Sequence, residues 1–456
     1  MKKVLNLLVK KKFFPWLVQF AFVLVTAGLV YGGWNITTDD RSVLMQLRNT
    51  NLANALVWAY WWPLLILVTI FWGRLWCMVC PVEFVTRLLS KIGLKKEPPK
   101  FMKSYWVATL LYAFISIVAV RYWDIHRVPH LMAMYLLLSY SLAIIVGLIF
   151  KERTFCRFVC PINILLAFYS LLSKWGIHVE PKTMKAVDGQ QKSVNPKLSP
   201  KLMDATCPSQ VNFLDERHDK RRCQLCMQCV KKCPANTVSF SKGTRSYYLL
   251  DTLRMKSAEY AMAIILIAYS VHEAIHKLPG CSDFLKAFAG FFKSIVPEMI
   301  IPGKIMDGLA LFVIFPCLCI GLFALLNTVV SKVDFKTSFK YGIAFLLPLG
   351  ALGELTKGLN KIMTRLPYLP SSLADPIGLN DAEAIAAKEM VVTKIPYTSE
   401  IIFVAWCAIF AWGMAIVLKK IKMEKNLQVP SKVIFGVLAL LYAIFCGFYP
   451  AFMKVL

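Results

Sequence analysis

Apolar residues along this chain come in blocks long enough to cross a bilayer, separated by polar stretches that carry most of the charge. A helix needs about 20 predominantly apolar residues to span the hydrocarbon core. Nine blocks of that size can be drawn, at about 14–34, 54–72, 104–121, 132–150, 257–275, 308–331, 339–357, 400–418 and 432–453. Backbone in lipid has to satisfy its own hydrogen bonds, so each block is expected as a helix. The pattern predicts an all-α polytopic membrane protein of about nine transmembrane helices.

Charge adds orientation. The first block follows Lys2, Lys3, Lys10, Lys11 and Lys12 like a signal n-region, but the apolar run is long and no A-x-A-like site follows it. A retained anchor with its N-terminus inside is expected. Counting alternately from there, the Lys- and Arg-rich segments 91–103, 151–256, 332–340 and 419–432 all fall on the cytoplasmic side, as the positive-inside tendency requires. The C-terminus is then periplasmic, in a bacterial inner membrane. A hydrophobic content of 57% and a mean hydropathy of +0.57 agree with a bilayer protein. On a soluble domain the net charge of +27 would suggest nucleic acid. Here the basic residues flank spans on one side, so membrane lipid is the expected partner and nucleic acid is not.

Candidate chemistry enters with the cysteines. Of the 14 in the chain, Cys77, Cys80, Cys156, Cys160, Cys207, Cys223, Cys226, Cys229 and Cys233 lie on or beside segments assigned to the reducing cytoplasm. Metal ligation accounts for them better than disulfides do. Residues 1–175 form a four-helix membrane unit containing two copies of one pattern: a span, then Arg, an aromatic, Cys, a short gap, Cys-Pro, and a Leu-rich amphipathic stretch. Copy one holds Arg74, Trp76, Cys77, Cys80 and Pro81; copy two holds Arg153, Phe155, Cys156, Cys160 and Pro161. Their four thiols could bind a further cluster or form a redox-active set. They could equally be small buried packing residues at helix breaks.

Residues 176–250 are the sizeable inner extramembrane segment, an irregular linker over 182–202 leading to a small module. Within it, Cys223-Gln-Leu-Cys226-Met-Gln-Cys229-Val-Lys-Lys-Cys233-Pro234 matches C-x2-C-x2-C-x3-C-P, the run that ligates [4Fe–4S] clusters. Zinc sites separate their cysteine pairs by a dozen or more residues, so a cytoplasmic ferredoxin-like iron–sulfur module is expected. Cys233 completes the cluster of Cys223, Cys226 and Cys229, or Cys207, itself before Pro208, does so and leaves Cys233 for another. One or two [4Fe–4S] clusters are therefore expected.

With these residues in view, the chain resembles the membrane-bound polyferredoxin family typified by NapH, NosR and CcoG over about residues 14–240. The resemblance rests on Cys77, Cys80-Pro81, Cys156, Cys160-Pro161 and the run Cys223 to Pro234. It implies electron transfer between a quinone pool or cytoplasmic donor and a partner redox protein. Three departures from the family pattern stand out. Cys77 and Cys80 are spaced C-x2-C where C-x3-C is usual, the first of two ferredoxin runs is reduced to Cys207-Pro208, and the five-helix domain 251–456, with outer loops 277–306 and 358–399, has no counterpart.

A second constellation lies at the other end of the spans. His272, Glu273 and His276 fit H-E-x-x-H, which sets both imidazoles on one helix face. Asp307 and Glu354 are expected near the same outer end, and ionisable groups in a membrane are functional candidates. The set reads as a metal, haem or quinone site at the outer face, as the zinc centre of an intramembrane protease with Glu273 as base, or as helix-end histidines. His126 and His130 are further outer-loop candidates. The reading is a membrane iron–sulfur electron-transfer subunit; the alternatives are a metal-handling or assembly factor for a periplasmic metalloenzyme and the H-E-x-x-H protease.

Overall fold

The computed structural model describes residues 2–151, 153–179, 207, 221–232, 238–275, 281–296, 298, 300–393 and 395–448, and among these helices dominate. Seven helices are long and apolar enough to cross a membrane: Trp16–Gly33, Leu52–Trp72, Pro129–Ile149, Gly303–Ser331, Phe335–Ala374, Thr398–Met423 and Val429–Gly447. The blocks at 104–121 and 257–275 carry the shorter apolar helices Trp106–Ala119 and Ser257–His272. This is a multi-pass membrane architecture.

By internal contacts the chain forms two compact units. The first comprises Met1–Thr26, Leu67–Lys103 and Tyr140–Leu250 and contains every candidate cluster cysteine the structure describes. Its extramembrane part is built on an antiparallel strand pair, Trp175–Val179 with Val238–Lys242, across which Trp175 stacks on Phe240 at 5.2 Å. The N-terminal helix Lys2–Lys10 closes one edge of that pair. Asn6 Nδ2 donates to the Phe240 carbonyl at 3.3 Å and the Phe240 amide donates back to Asn6 Oδ1 at 3.2 Å, which satisfies a backbone edge that would otherwise be exposed.

The second unit, Ala27–Ile66 with Ser104–Ser139 and Asp251–Leu456, is organised around the helix Phe335–Arg365. Of the apolar window of this helix 89% is buried, against 22–44% for the other six long spans, so it is a central helix and not a lipid-facing one. The helices Ser257–Ile275, Phe315–Ser331, Thr398–Met423 and Val429–Ala443 surround it. Polar ties recur between them: Ser270 Oγ donates to the Gly350 carbonyl at 2.9 Å, Tyr442 to that of Ile267 at 3.1 Å and Trp406 Nε1 to that of Thr356 at 3.0 Å. Such bonds matter where no water competes.

The segments 277–306 and 358–399 both contain helix. In 277–306 lies the helix Cys281–Ile295, whose Leu285 and Ala289 are buried against Ala310 and Leu311. In 358–399 the central helix continues to Arg365, and short helices follow at Leu369–Ala374 and Leu379–Ala386. Ala382 packs on Val43 and Leu47 of the helix Arg41–Thr50. Gly378 makes this docking possible: its φ is +66°, and a Cβ there would stand 2.4 Å from the Thr50 carbonyl carbon. Thr50 Oγ1 and Asn51 Nδ2 donate to the Gly378 and Ile377 carbonyls at 2.8 and 2.9 Å. Gly378→Ala is expected to destabilise the purified protein by about 1–3 kcal/mol, read as an earlier thermal unfolding transition in detergent; an unchanged transition would show that the close approach is not needed.

Candidate metal centre

The two Cys-Pro copies make the same turn in different ways. In copy one the span ends at Gly73, whose φ of +75° brings the backbone so near the module that a Cβ would meet Leu225 Cδ1 at 3.1 Å and the Trp175 carbonyl at 3.2 Å. A single turn, Trp76–Val79, then carries Cys77. In copy two the corresponding turn, Phe155–Val159, is π-helical and closes with the Cys160 amide on the Phe155 carbonyl at 2.8 Å. The wider turn absorbs the extra residue of the C-x3-C gap. The second cysteine of each copy precedes proline, which excludes helical backbone at that position. Cys80 and Cys160 accordingly have ψ of 126° and 119°, and helices restart just beyond them at Pro81–Ile92 and Asn163–Leu171.

These turns bring four thiols together. Cys80 lies in the fields of Cys77 and Cys160, Cys156 in those of Cys80 and Cys77, and Cys160 in those of Cys156 and Cys77. A second group forms in the module, where Cys223 and Cys229 share fields with Cys226 and Cys207. Cys207 therefore stands with the run although at least fifteen residues separate it from Cys223. Cys233 lies outside the described residues.

The chain winds around the second group at a conformational cost. Leu225 and Met227, on either side of Cys226, have φ of 47° and 59°. Left-handed backbone at non-glycine residues costs of order 1–3 kcal/mol each and persists where the surroundings over-determine it. Here the surroundings are an apolar shell of Val9, Met78, Leu225, Met227, Val230, Val238 and Phe240, against which Cys207 and Cys223 also pack.

Burial pushes the Cys160 and Cys223 thiols up to about 12 and raises Cys80, Cys156, Cys226 and Cys229 as well. Such thiols keep their protons in the dry pocket unless a metal cation displaces them. Among the described residues no three His, Cys, Asp or Glu side chains sit closely enough to hold one metal ion. A single tetrahedral ion with bonds of about 2.3 Å needs thiolates within about 4 Å of one another. In a cubane each thiolate binds a different iron, and the four stand farther apart. Two groups of four neighbouring thiols, with backbone curled around one of them, supply the number and type of donors that such a unit takes.

Two arginines, at equivalent positions of the repeat, connect the groups. Arg74 is 2% exposed; it donates to the Arg221 carbonyl at 2.8 Å and to Asn163 Oδ1 at 2.5 Å, its Nη2 lies 3.7 Å from Cys77 Sγ, and its charge also reaches Cys160 and Cys223. Arg153 is 4% exposed; it pairs with Glu83 at 2.6 Å, donates to Gln224 Oε1 at 3.3 Å, and lies in the fields of Cys226, Cys156 and Cys77. Gln224, inside the run, donates to the Cys156 carbonyl at 2.8 Å. Glu83 is 1% exposed and also accepts from Gln19. Sequence reasoning missed Glu83, Gln19, Gln224 and Asn163. The one available signal was an acidic residue two places after Pro81 in an otherwise Leu-rich amphipathic stretch.

Beside the run lies a cavity of about 350 Å³ lined by Lys12, Arg87, Lys91, Gln228 and Lys231 together with an apolar wall that includes Phe14 and Trp16. Gln228 and Lys231 belong to the helix Gln228–Lys232, which carries Cys229.

Among the described residues the candidates of the second constellation form no group of three close enough to hold one metal ion. His272 Nε2 lies 3.3 Å from Arg121 Nη2, Asp307 pairs with Lys293 at 2.7 Å, and Glu354 is buried on the central helix. His130 Nδ1 accepts from the Asn35 amide at 3.2 Å, and the His126 ring meets Trp58 edge-on at 6.4 Å. His276 and the Glu273 side chain lie outside the described residues.

Comparison with known proteins falls on the repeat. Residues 54–100 and 133–179 each match the 4Fe-4S binding domain family. Each match spans one Arg-aromatic-Cys-Cys-Pro copy. Among curated proteins, the chain is 25% identical over 181 residues to the uncharacterized protein MJ0749 of Methanocaldococcus jannaschii, covering 38% of this chain and 67% of that one. It is 23% identical over 195 residues to the uncharacterized protein MJ0750 of the same organism, covering 39% and 76%. No solved structure matches. The chain thus carries a 4Fe-4S binding domain in a multi-pass membrane protein.

Removing Glu83 would leave Arg153 buried without its carboxylate. In metal-free protein Glu83→Ala is expected to cost about 3–5 kcal/mol of stability, and Glu83→Gln combined with Arg153→Gln to recover most of it; chemical denaturation of the single and double variants measures both.

Proposed function

We propose that this protein is a membrane electron carrier with two [4Fe–4S] clusters, one held by Cys77, Cys80, Cys156 and Cys160 and the other by Cys207, Cys223, Cys226 and Cys229. The carrying observation is the pair of four-thiol groups with one arginine from each repeat lying in the fields of both. In this reading it sits in a bacterial inner membrane with the module cytoplasmic, as the Lys- and Arg-rich segments 91–103, 151–256, 332–340 and 419–432 favour. Electrons pass from a quinone or a cytoplasmic donor to a partner redox protein.

Clusters of this type supply one-electron chemistry at potentials set by ligands, net charge and solvent exposure. The chain's own residues act on the last two. Arg74 and Arg153 place fixed positive charge against thiolates in a poorly solvated interior, where it counts for far more than in water. The shell from Val9 to Phe240 excludes water from the thiols of the run. Gln224 fixes the spacing of the groups, because its amide joins Arg153 to the Cys156 backbone. The basic cavity over the helix Gln228–Lys232 offers an acidic electron donor a positive docking mouth next to Cys229.

Anaerobically purified protein is expected to contain about eight irons per chain. Cys226→Ser and Cys156→Ser should each remove about half and abolish different components of the dithionite-reduced EPR spectrum. Iron unchanged in both variants would sink the assignment. Reduction by an acidic ferredoxin should slow as ionic strength rises and slow further in Lys91→Glu, measured by stopped-flow absorbance; a salt-independent rate would place the donor elsewhere.

A further inference from the structure

The second unit gathers basic side chains from three separate stretches at one place. Arg48 stands in the last turn of the helix Arg41–Thr50, His126 and Arg127 in the turn before the helix Pro129–Ile149, and Lys361 and Arg365 at the end of the helix Phe335–Arg365. By the alternation of spans all three stretches share one side of the membrane. Arg48 is in the repulsive field of Arg127, Arg365 in that of Arg48, and His126 in those of Arg127, Lys361, Arg365 and Arg48. Asp124 engages Arg127 through Nη1 at 3.1 Å. Arg48 Nε, Arg127 Nε and His126 Nδ1 are buried and meet no hydrogen-bond partner among the described residues.

A folded chain does not assemble like charges and then bury donors beside them without something to offset both. Burial first, and then the surrounding cations, hold His126 down at about 3, so its imidazole is neutral at neutral pH. Tyr60 and Tyr368 lie within the same fields, and the Tyr60 hydroxyl is already donated to the Arg365 carbonyl at 2.7 Å. A neutral phenol hydroxyl can accept a hydrogen bond but brings no negative charge to offset the cations. Retention of the protein by anionic lipid accounts for lysines scattered along the ends of spans, which stay solvated. It does not account for the buried Nε atoms of Arg48 and Arg127.

We propose that Arg48, His126, Arg127, Lys361 and Arg365 form a binding site for a single oxyanion, a phosphate group, presented free in solution or as the headgroup of a lipid. Guanidinium groups match such oxygens with paired, charge-assisted hydrogen bonds, which a point-charge ammonium does not. The setting is half-buried: Arg48 Nε, Arg127 Nε and His126 Nδ1 are shielded, while the Arg127 side chain keeps 31% of its surface exposed, which leaves a way in for a small ligand. The site is independent of the cysteines, and its test does not depend on iron content.

The experiment is thermal unfolding of the full chain in detergent, in sodium phosphate against sodium chloride at equal ionic strength, alongside nanodiscs of phosphatidylglycerol against phosphatidylcholine. Phosphate or phosphatidylglycerol should raise the unfolding temperature of the wild type, and whichever does so identifies the source. Arg48→Gln has two expected effects of opposite sign. It should unfold later than the wild type in chloride, because repulsion is relieved, and should bind the effective anion at least about ten-fold more weakly. Arg127→Gln repeats the measurement should Arg48→Gln fail to fold. The proposal is overturned if neither anion stabilises the wild type beyond chloride or phosphatidylcholine, if both variants respond as the wild type does, or if only an acidic protein stabilises it.

Discussion

A guanidinium removed from water has to be matched by negative charge, and Arg74 and Arg153 impose that requirement on everything around the cysteines. Each is almost fully buried, each comes from the same position of its repeat, and each lies in the fields of both thiol groups. Glu83 neutralises one of them. The remaining balance falls to the thiols, which burial keeps protonated and neutral until metal replaces the proton. In the proposed reading the arginines would favour the loaded state, because thiolates bound to iron would supply anions where the two positive charges stand. Ligation and charge compensation are one constraint, and the left-handed backbone at Leu225 and Met227 is strain that this constraint can hold in place.

Much of this was legible in the sequence because the signals are chemical and local. The periodicity of apolar blocks marks the spans, and the run from Cys223 to Cys229 together with both Cys-Pro copies can be read by eye. What spacing could not show is which thiols meet. Cys207 joins Cys223, Cys226 and Cys229 by way of tertiary packing against Val9, Met78 and Phe240, residues far apart in the chain. Glu83, Gln19 and Gln224 were invisible for a related reason. A polar residue in an amphipathic helix normally faces water, and only burial between two segments turns it into a charge partner. Within 358–399 proline stands in the first turn of the helix Leu369–Ala374, and Gly378 lets the chain approach Thr50. His272, Asp307 and Glu354 were grouped by their expected depth in the membrane. Depth does not fix azimuth, and the structure gives His272 and Asp307 to Arg121 and Lys293.

The unequal gaps of the two copies bear on how the repeat works. An extra residue between two ligands would ordinarily rotate the second by about a quarter turn and carry it off the site. In copy two the π-helical turn Phe155–Val159 takes up that residue, and Cys160 reaches proline with the same extended backbone as Cys80. What the two copies hold in common is therefore the extended backbone of the second cysteine ahead of its proline, the next helix starting at Pro81 in one copy and at Asn163 in the other. The intervening turn is free to vary as long as it delivers the chain to that point.

The match to the 4Fe-4S binding domain family falls on these two copies and not on the run at 223–234. That distribution follows from the physical roles of the parts. The run gathers Cys223, Cys226 and Cys229 within seven consecutive residues, held by the apolar shell around it. The repeats must instead deliver thiols and arginines from separate hairpins to one place, which demands a span, a break, a proline restart and an amphipathic helix in fixed order. The extended pattern is what a family comparison can detect. It is also what fixes Arg74 and Arg153 between the thiol groups, so the part of the chain that is similar to other proteins is the part that would set the charge environment of both clusters.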